Sequence, residues 1–316
     1  MVRFIGVAVA GVLFFLLAIA AAGYALYQRE PVRLLDGIDR LVGGNGGVEE
    51  VRRIRLGPQP TQILRIFRSD ATPERDAAVI LFVHGGSWDS GHPAHYGFVA
   101  RSLAREGYVV ALAGYRLGPE GRYPGMVEDT AQAIAVLQRM AHEVGGDPDR
   151  LFLSGHSAGA YNVVQAVMEP RVLTAAGVDP QAIAGVVGLA GPYDFYPFDG
   201  PATRAAFGAA SDGRTTQPVS YVRAGLPPML LLTGTADTTV RPRNTKALAK
   251  RLRQEGSPVA TRAYEGLSHS DVLVHLAAPW RGSQPTVRRD ILAFLADPEG
   301  FIGEGEPSVP VQGENR

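Results

Sequence analysis

Cysteine is absent from the 316 residues. Its absence excludes disulfides, a thiol nucleophile, cysteine-ligated zinc and iron–sulfur clusters, while leaving the redox compartment open. An excess of either charge is also missing, with 31 basic residues against 31 acidic ones. No global field draws such a chain to a polyanion, so a nucleic-acid partner is not expected. Internal repeats are missing too, and no uncharged run of comparable length follows the first 27 residues. What is present is an ordinary globular balance of 46% apolar and 20% charged residues, in a chain long enough for one large α/β domain.

The apolar residues are not spread evenly. Residues 4–27 carry no charged or strongly polar side chain. As a helix they would extend about 36 Å, enough to cross a hydrocarbon core of about 30 Å. The run is longer than the apolar region of a signal peptide, so residues 1–30 are expected to be a transmembrane anchor. The competing expectation is a cleaved signal peptide, with Ala20, Ala21 and Ala22 at the cleavage site. Arg3 and the terminal amine stand on one side of the run, and Arg29, Arg33 and Arg40 on the other, so charge counting does not orient it. The short leading flank resembles that of a signal sequence. It suggests a protein of a bacterial inner membrane with its catalytic body exported. Residues 31–48, with glycines at 43, 44, 46 and 47, read as a linker.

From residue 49 the chain alternates strand-like and helix-like segments. Strands are expected at 51–56, 62–67, 78–83, 108–113, 150–154, 183–189, 228–233 and 259–264. Several are continuously apolar, as in a sheet covered on both faces. Helices are expected at 95–106, 126–144, 158–168, 243–255 and 285–296. This order predicts a mostly parallel, eight-stranded sheet flanked by helices. The first two strands, joined by a short connection, fit an antiparallel hairpin at one edge. The domain is expected over 49–298, with a disordered tail at 299–316 rich in Gly, Glu and Pro.

Two motifs carry chemistry. Gly155-His156-Ser157-Ala158-Gly159 lies between a predicted strand and a predicted helix. In a strand–turn–helix context this pentapeptide holds a serine in a strained conformation that lifts its hydroxyl above the sheet, and Gly155 and Gly159 let strand and helix approach. The second motif, His84-Gly85-Gly86-Ser87-Trp88, directly follows the apolar strand 78–83. Its glycines let backbone N–H groups converge. Those of Gly86 and Ser87, with that of Ala158, are candidates for an oxyanion hole. His84 is expected to orient the loop through a hydrogen bond, and Trp88 to pack beneath the loop or line the pocket.

Together these motifs resemble those of an α/β-hydrolase of the carboxylesterase type, and more narrowly the kynurenine formamidase-like and hormone-sensitive-lipase-like branches. Tyr115-Arg116-Leu117, Tyr123-Pro124 and Glu128-Asp129 are similar to that group as well. The resemblance implies the α/β-hydrolase fold over about residues 50–298, and a triad in the order Ser, acid, His. Asp237, on the loop after the strand at 228–233, is the expected acid, with Asp194 as the rival. His269, after the last strand, is the expected base. His92, His95, His142 and His275 fit worse by position. Glu265 and Asp271 lie near His269, but no ligand spacing supports a metal site, and no metal or organic cofactor is expected.

The resulting expectation is a serine esterase acting through an acyl-enzyme on a small, largely apolar ester. The alternatives are an N-formylkynurenine-type amidase, and a non-hydrolytic binding protein or acyltransferase on the same fold. Residues 193–227 read as a cap-like insertion whose Tyr193, Phe195, Tyr196, Phe198 and Phe207 either shape an acyl pocket or form the insertion's own core.

Overall fold

The computed structural model describes residues 30–284 and 286–303, so the candidate membrane segment lies outside the described residues apart from Glu30. Among the described residues no helix is long and apolar enough to cross a membrane. The first element is a helix, α1 (Pro31–Gly43), followed by strands β1 (Glu49–Arg55), β2 (Ile63–Arg68) and β3 (Ala77–Val83). The chain continues through α2 (Gly97–Ala104), β4 (Val109–Ala113), α3 (Gly125–Met140), β5 (Gly146–His156), α4 (Ala158–Met168) and α5 (Pro170–Ala176). After β6 (Ile183–Leu189), α6 (Pro201–Phe207), β7 (Met229–Gly234), α7 (Arg243–Gln254) and β8 (Val259–Tyr264), it closes with α8 (Asp271–Val274), α9 (Val287–Ala296) and α10 (Pro298–Gly303).

The eight strands form one sheet in the order β1-β2-β4-β3-β5-β6-β7-β8. The hairpin β1–β2 and the β2–β4 pair are antiparallel, and every other pair is parallel. The central strands are continuously apolar because both faces are covered, and side chains alternate between the faces. Val79, Leu81 and Val83 of β3 enter one core together with Leu151 and Leu153 of β5. Ile80 and Phe82 enter the other core with Phe152 and Leu230. The parallel strands all end at one edge of the sheet, and the loops leaving that edge carry both sequence motifs.

Residues 31–48 are not a linker. Residues 31–43 are α1, docked on the domain, and the glycine stretch at 43–47 is the turn into β1. The docking combines Leu35, which enters the core beside Val32, with an ionic cluster. Asp36 and Asp39 are buried, and Arg101 of α2 reaches both at 2.6 Å. Arg281 meets Asp39 from the other side, also at 2.6 Å, and the N–H of Ala278 donates to the same carboxylate. Two aspartates on the inward side of a 13-residue helix disguise it in the sequence, because their partners lie far along the chain. Asp39→Asn, which leaves an arginine underpaired, is expected to lower unfolding free energy by about 2 kcal/mol in denaturant titration. The expected tail is also corrected at its start, since residues 298–303 form α10.

Candidate active site

The serine sits where β5 meets α4. Ser157 has φ 54° and ψ −122°, a positive-φ conformation unusual for a side-chain-bearing residue. The turn is fastened by the N–H of Ser157, which donates to the carbonyl of Leu189 at the end of β6 at 2.8 Å. A Cβ on Gly155 would lie 2.4 Å from the backbone of Gly159, and one on Gly159 would lie 2.1 Å from the carbonyl oxygen of Val83. Only glycine permits this approach of strand and helix, which is the physical content of the pentapeptide.

The structure brings Ser157, His269 and Asp237 into one hydrogen-bonded line. Ser157 Oγ lies 2.9 Å from His269 Nε2, and His269 Nδ1 lies 2.8 Å from Asp237 Oδ2. With Nδ1–H donating to the carboxylate, Nε2 is free to accept the serine proton. Asp237 is buried, and its other oxygen accepts the N–H groups of Thr239 at 2.9 Å and Val240 at 2.8 Å. Those bonds hold the carboxylate in place on the loop after β7. The rival, Asp194, has an exposed side chain, and its backbone N–H is held by Asn244 at 2.9 Å. Asp271 instead accepts the N–H of Ser268 at 2.7 Å, bracing the turn that carries His269. Among the described residues no cluster of His, Asp and Glu is arranged to hold a metal ion.

The second motif lies against the serine. A Cβ on Gly85 would stand 3.1 Å from Cβ of Ser157. Gly86, Ser87 and Trp88 all have positive φ, of 124°, 53° and 61°. The carbonyl of Gly86 is occupied by the N–H groups of Asp89 and Ser90 at 3.1 and 3.0 Å. The N–H groups of Gly86, Ser87 and Ala158 enter none of the loop and cap hydrogen bonds among the described residues.

Two buried rings explain the loop's shape. His84 is buried, stacked on Tyr115 at 4.7 Å, and its Nδ1–H donates to the carbonyl of Gly85 at 2.8 Å. Burial lowers its pKa to about 4, so it stays neutral and orients the loop. Trp88 packs beneath the loop rather than lining an opening. Its indole N–H donates to Asn162 Oδ1 at 3.0 Å, and its ring contacts Tyr161, Phe195 and Phe207. In the insertion, Tyr193, Phe195 and Phe207 are buried core residues, whereas Tyr196 is exposed. The motif around Tyr115 acquires a structural role as well. Asp129 accepts the backbone N–H of Arg116 at 2.8 Å and its Nε–H at 2.9 Å, tying the loop after β4 to α3.

His156, the variable second residue of the pentapeptide, has a part that its motif position does not reveal. Its Nε2 lies 3.0 Å from the carbonyl oxygen of His269, and the two rings are 4.9 Å apart. Burial lowers its pKa to about 3, so the ring is neutral and donates Nε2–H to that carbonyl. The residue beside the serine thus fastens the loop bearing His269. His156→Phe, which keeps a ring but loses the donor, is expected to lower kcat about tenfold with little change in KM. His156→Gln, which restores a donor, should recover most of it. Equal losses in both variants would show that the hydrogen bond is not the cause.

A family model described as BD-FAE matches residues 64–252. The chain is 27% identical to an isoprenylcysteine alpha-carbonyl methylesterase of Oryza sativa subsp. japonica, over 83% of this chain and 68% of the relative. It spans 57% to 66% of the length of three further plant methylesterases. It is 32% identical to the kynurenine formamidase of Salmo salar over 40% of each chain. Among solved structures it resembles esterase 2 of Thermogutta terrifontis. The form phosphonylated by sarin is 22% identical with a TM-score of 0.64, covering 78% of this chain and 95% of that one. The propionate-bound form is 25% identical with a TM-score of 0.62, covering 82% and 95%.

Proposed function

The chain belongs to the BD-FAE family, and on that basis we propose that it is a serine carboxylesterase acting on small, largely apolar esters. The observation that carries this is the hydrogen-bonded line Ser157–His269–Asp237, with Ser157 in a strained turn. His269 Nε2 takes the Ser157 proton as Oγ attacks the ester carbonyl, and Asp237 stabilises the imidazolium formed. The developing oxyanion is met by the N–H groups of Gly86, Ser87 and Ala158. His269 returns the proton to the alcohol, which leaves. Water, activated by the same imidazole, then releases the acid from Ser157.

The proposed acid portion is short. Ser157 is only 8% exposed, and the propionate complex of the Thermogutta esterase supports a small acid portion. Hydrolysis of nitrophenyl esters of rising acyl length should decline beyond short and medium chains, and equal rates at every length would contradict a short acid portion. The formamidase similarity supports N-formylkynurenine as a second substrate to assay in parallel. Labelling of the full chain by a fluorophosphonate probe tests the activated serine whatever the natural ester.

Residues 4–27 anchor the enzyme in a membrane in this proposal, supported by their uncharged run and flanking arginines. The catalytic body lies on the exported side, which protease accessibility in intact and opened cells would test.

A further inference from the structure

The position of α1 relates the candidate anchor to the catalytic edge of the sheet. The polypeptide passes up β3, crosses the loop 84–96 at the edge where the parallel strands end, and descends α2. Helix α1 runs alongside α2 in the same direction. Asp36 meets Arg101 and lies against Gly97, near the start of α2, whereas Arg105, just past its end, donates to the carbonyls of Gly43 and Gly44 at 2.7 and 2.9 Å. The far end of α1 is therefore at the opposite edge, where β1 begins. Its near end, Pro31, is at the edge carrying the catalytic loops. Glu30 and Arg33 both act electrostatically on His95, in the turn that follows the loop bearing Gly86 and Ser87.

The connection from the apolar run is short. Only residues 28–30 separate Tyr27 from Pro31, which spans at most about 15 Å. The attachment is also rigid, because Asp36, Asp39, Arg101 and Arg281 form a buried ionic cluster. With the run anchored in a bilayer, the membrane surface would lie within that reach of the catalytic edge, and from Pro31 onward the chain is held against the body by the α1 cluster.

We propose that the catalytic edge faces the bilayer and that the enzyme acts on esters partitioned into it, whose carbonyl reaches Ser157 from the lipid surface. This rests on the membrane-anchor proposal above, and the tests separate the two. The chain has no cysteine, so single reporters can be introduced without background. Full chains carrying Asp89→Cys, exposed in the loop after the Gly86–Ser87 turn, or Glu299→Cys, exposed at the opposite edge, are labelled with a fluorophore. They are then bound to phosphatidylcholine vesicles containing nitroxide-labelled lipid. Quenching at position 89 well above that at 299 is expected. Equal quenching, or stronger quenching at 299, overturns the orientation. A chain that does not sediment with vesicles overturns the anchor and the orientation with it.

The functional arm compares nitrophenyl octanoate dissolved in vesicles with nitrophenyl acetate in buffer. Inserting about 15 Gly and Ser residues between Arg29 and Glu30 dilutes the body away from the surface. It is expected to lower the octanoate-to-acetate rate ratio at least about fivefold, with the acetate rate unchanged. An unchanged ratio, with the chain still bound to vesicles, overturns the delivery of substrate from the bilayer.

Discussion

Ser157→Ala is expected to lower kcat for nitrophenyl ester hydrolysis by at least about four orders of magnitude, with KM little changed. The size follows from the geometry. Oγ is the atom that forms the acyl bond, and without it His269 Nε2, 2.9 Å away, has no protein nucleophile to activate. Any residual rate would come from the N–H groups of Gly86, Ser87 and Ala158 and from binding. Because the residues act as a unit, adding His269→Ala to Ser157→Ala should cost almost nothing further. An alanine methyl group occupies the place of the serine Cβ without disturbing the backbone turn. Thermal unfolding should therefore stay close to that of the parent, and fluorophosphonate labelling should vanish. A folded Ser157→Ala chain that turns over esters within tenfold of the parent would sink the serine mechanism.

Acidification should destabilise the protein long before its carboxylates titrate. His84 and His156 are buried and neutral, with pKa values lowered to about 4 and about 3 by desolvation. In the unfolded chain each takes a proton below about pH 6.5. Their folded values lie below the unfolded one, so stability is full above about pH 6.5 and is lost as pH falls toward the folded values. At pH 5 each contributes a loss of about 2 kcal/mol, or about 4 kcal/mol together. Burial lowers the values of His92, His95 and His275 as well, which adds in the same direction. Glu50, held by Arg53 and Arg65 at a pKa of about 2, loses its contribution only below its unfolded value near 4.5, a separate and more acidic window. Denaturant titrations at pH 7.5 and 5.0 measure the difference. His84→Gln and His156→Gln combined should roughly halve it, and a loss independent of both histidines would refute this assignment.

Much of the site was legible in the sequence because its constraints are local. Gly155, Ser157 and Gly159 must lie two residues apart, since a strained turn and a close strand–helix approach involve neighbours in the chain. The loop 84–88 is similarly written in consecutive residues. The strands were legible because a sheet covered on both faces needs apolar residues at every position, as in β3 and β7. Helix α1 was not legible. Its inward face carries Asp36 and Asp39, which look like surface residues until Arg101 and Arg281 are placed beside them. The aromatics of the insertion pointed equally to a pocket or a core, because composition does not say which side of a segment is covered.

Residue order alone thus specified the parallel sheet, the strained serine turn and the glycine loop, while the resemblance to a known family implied the order of acid and base. It took the folded arrangement to show that Asp237 rather than Asp194 meets His269, and that Trp88 is a buried support. The fold also set His156 against the carbonyl of His269, and docked α1 beside α2 through Asp36 and Asp39. The division has one cause. Backbone strain and apolar periodicity are properties of adjacent residues, whereas a hydrogen bond or buried ion pair depends on partners that the chain brings together only after it has folded.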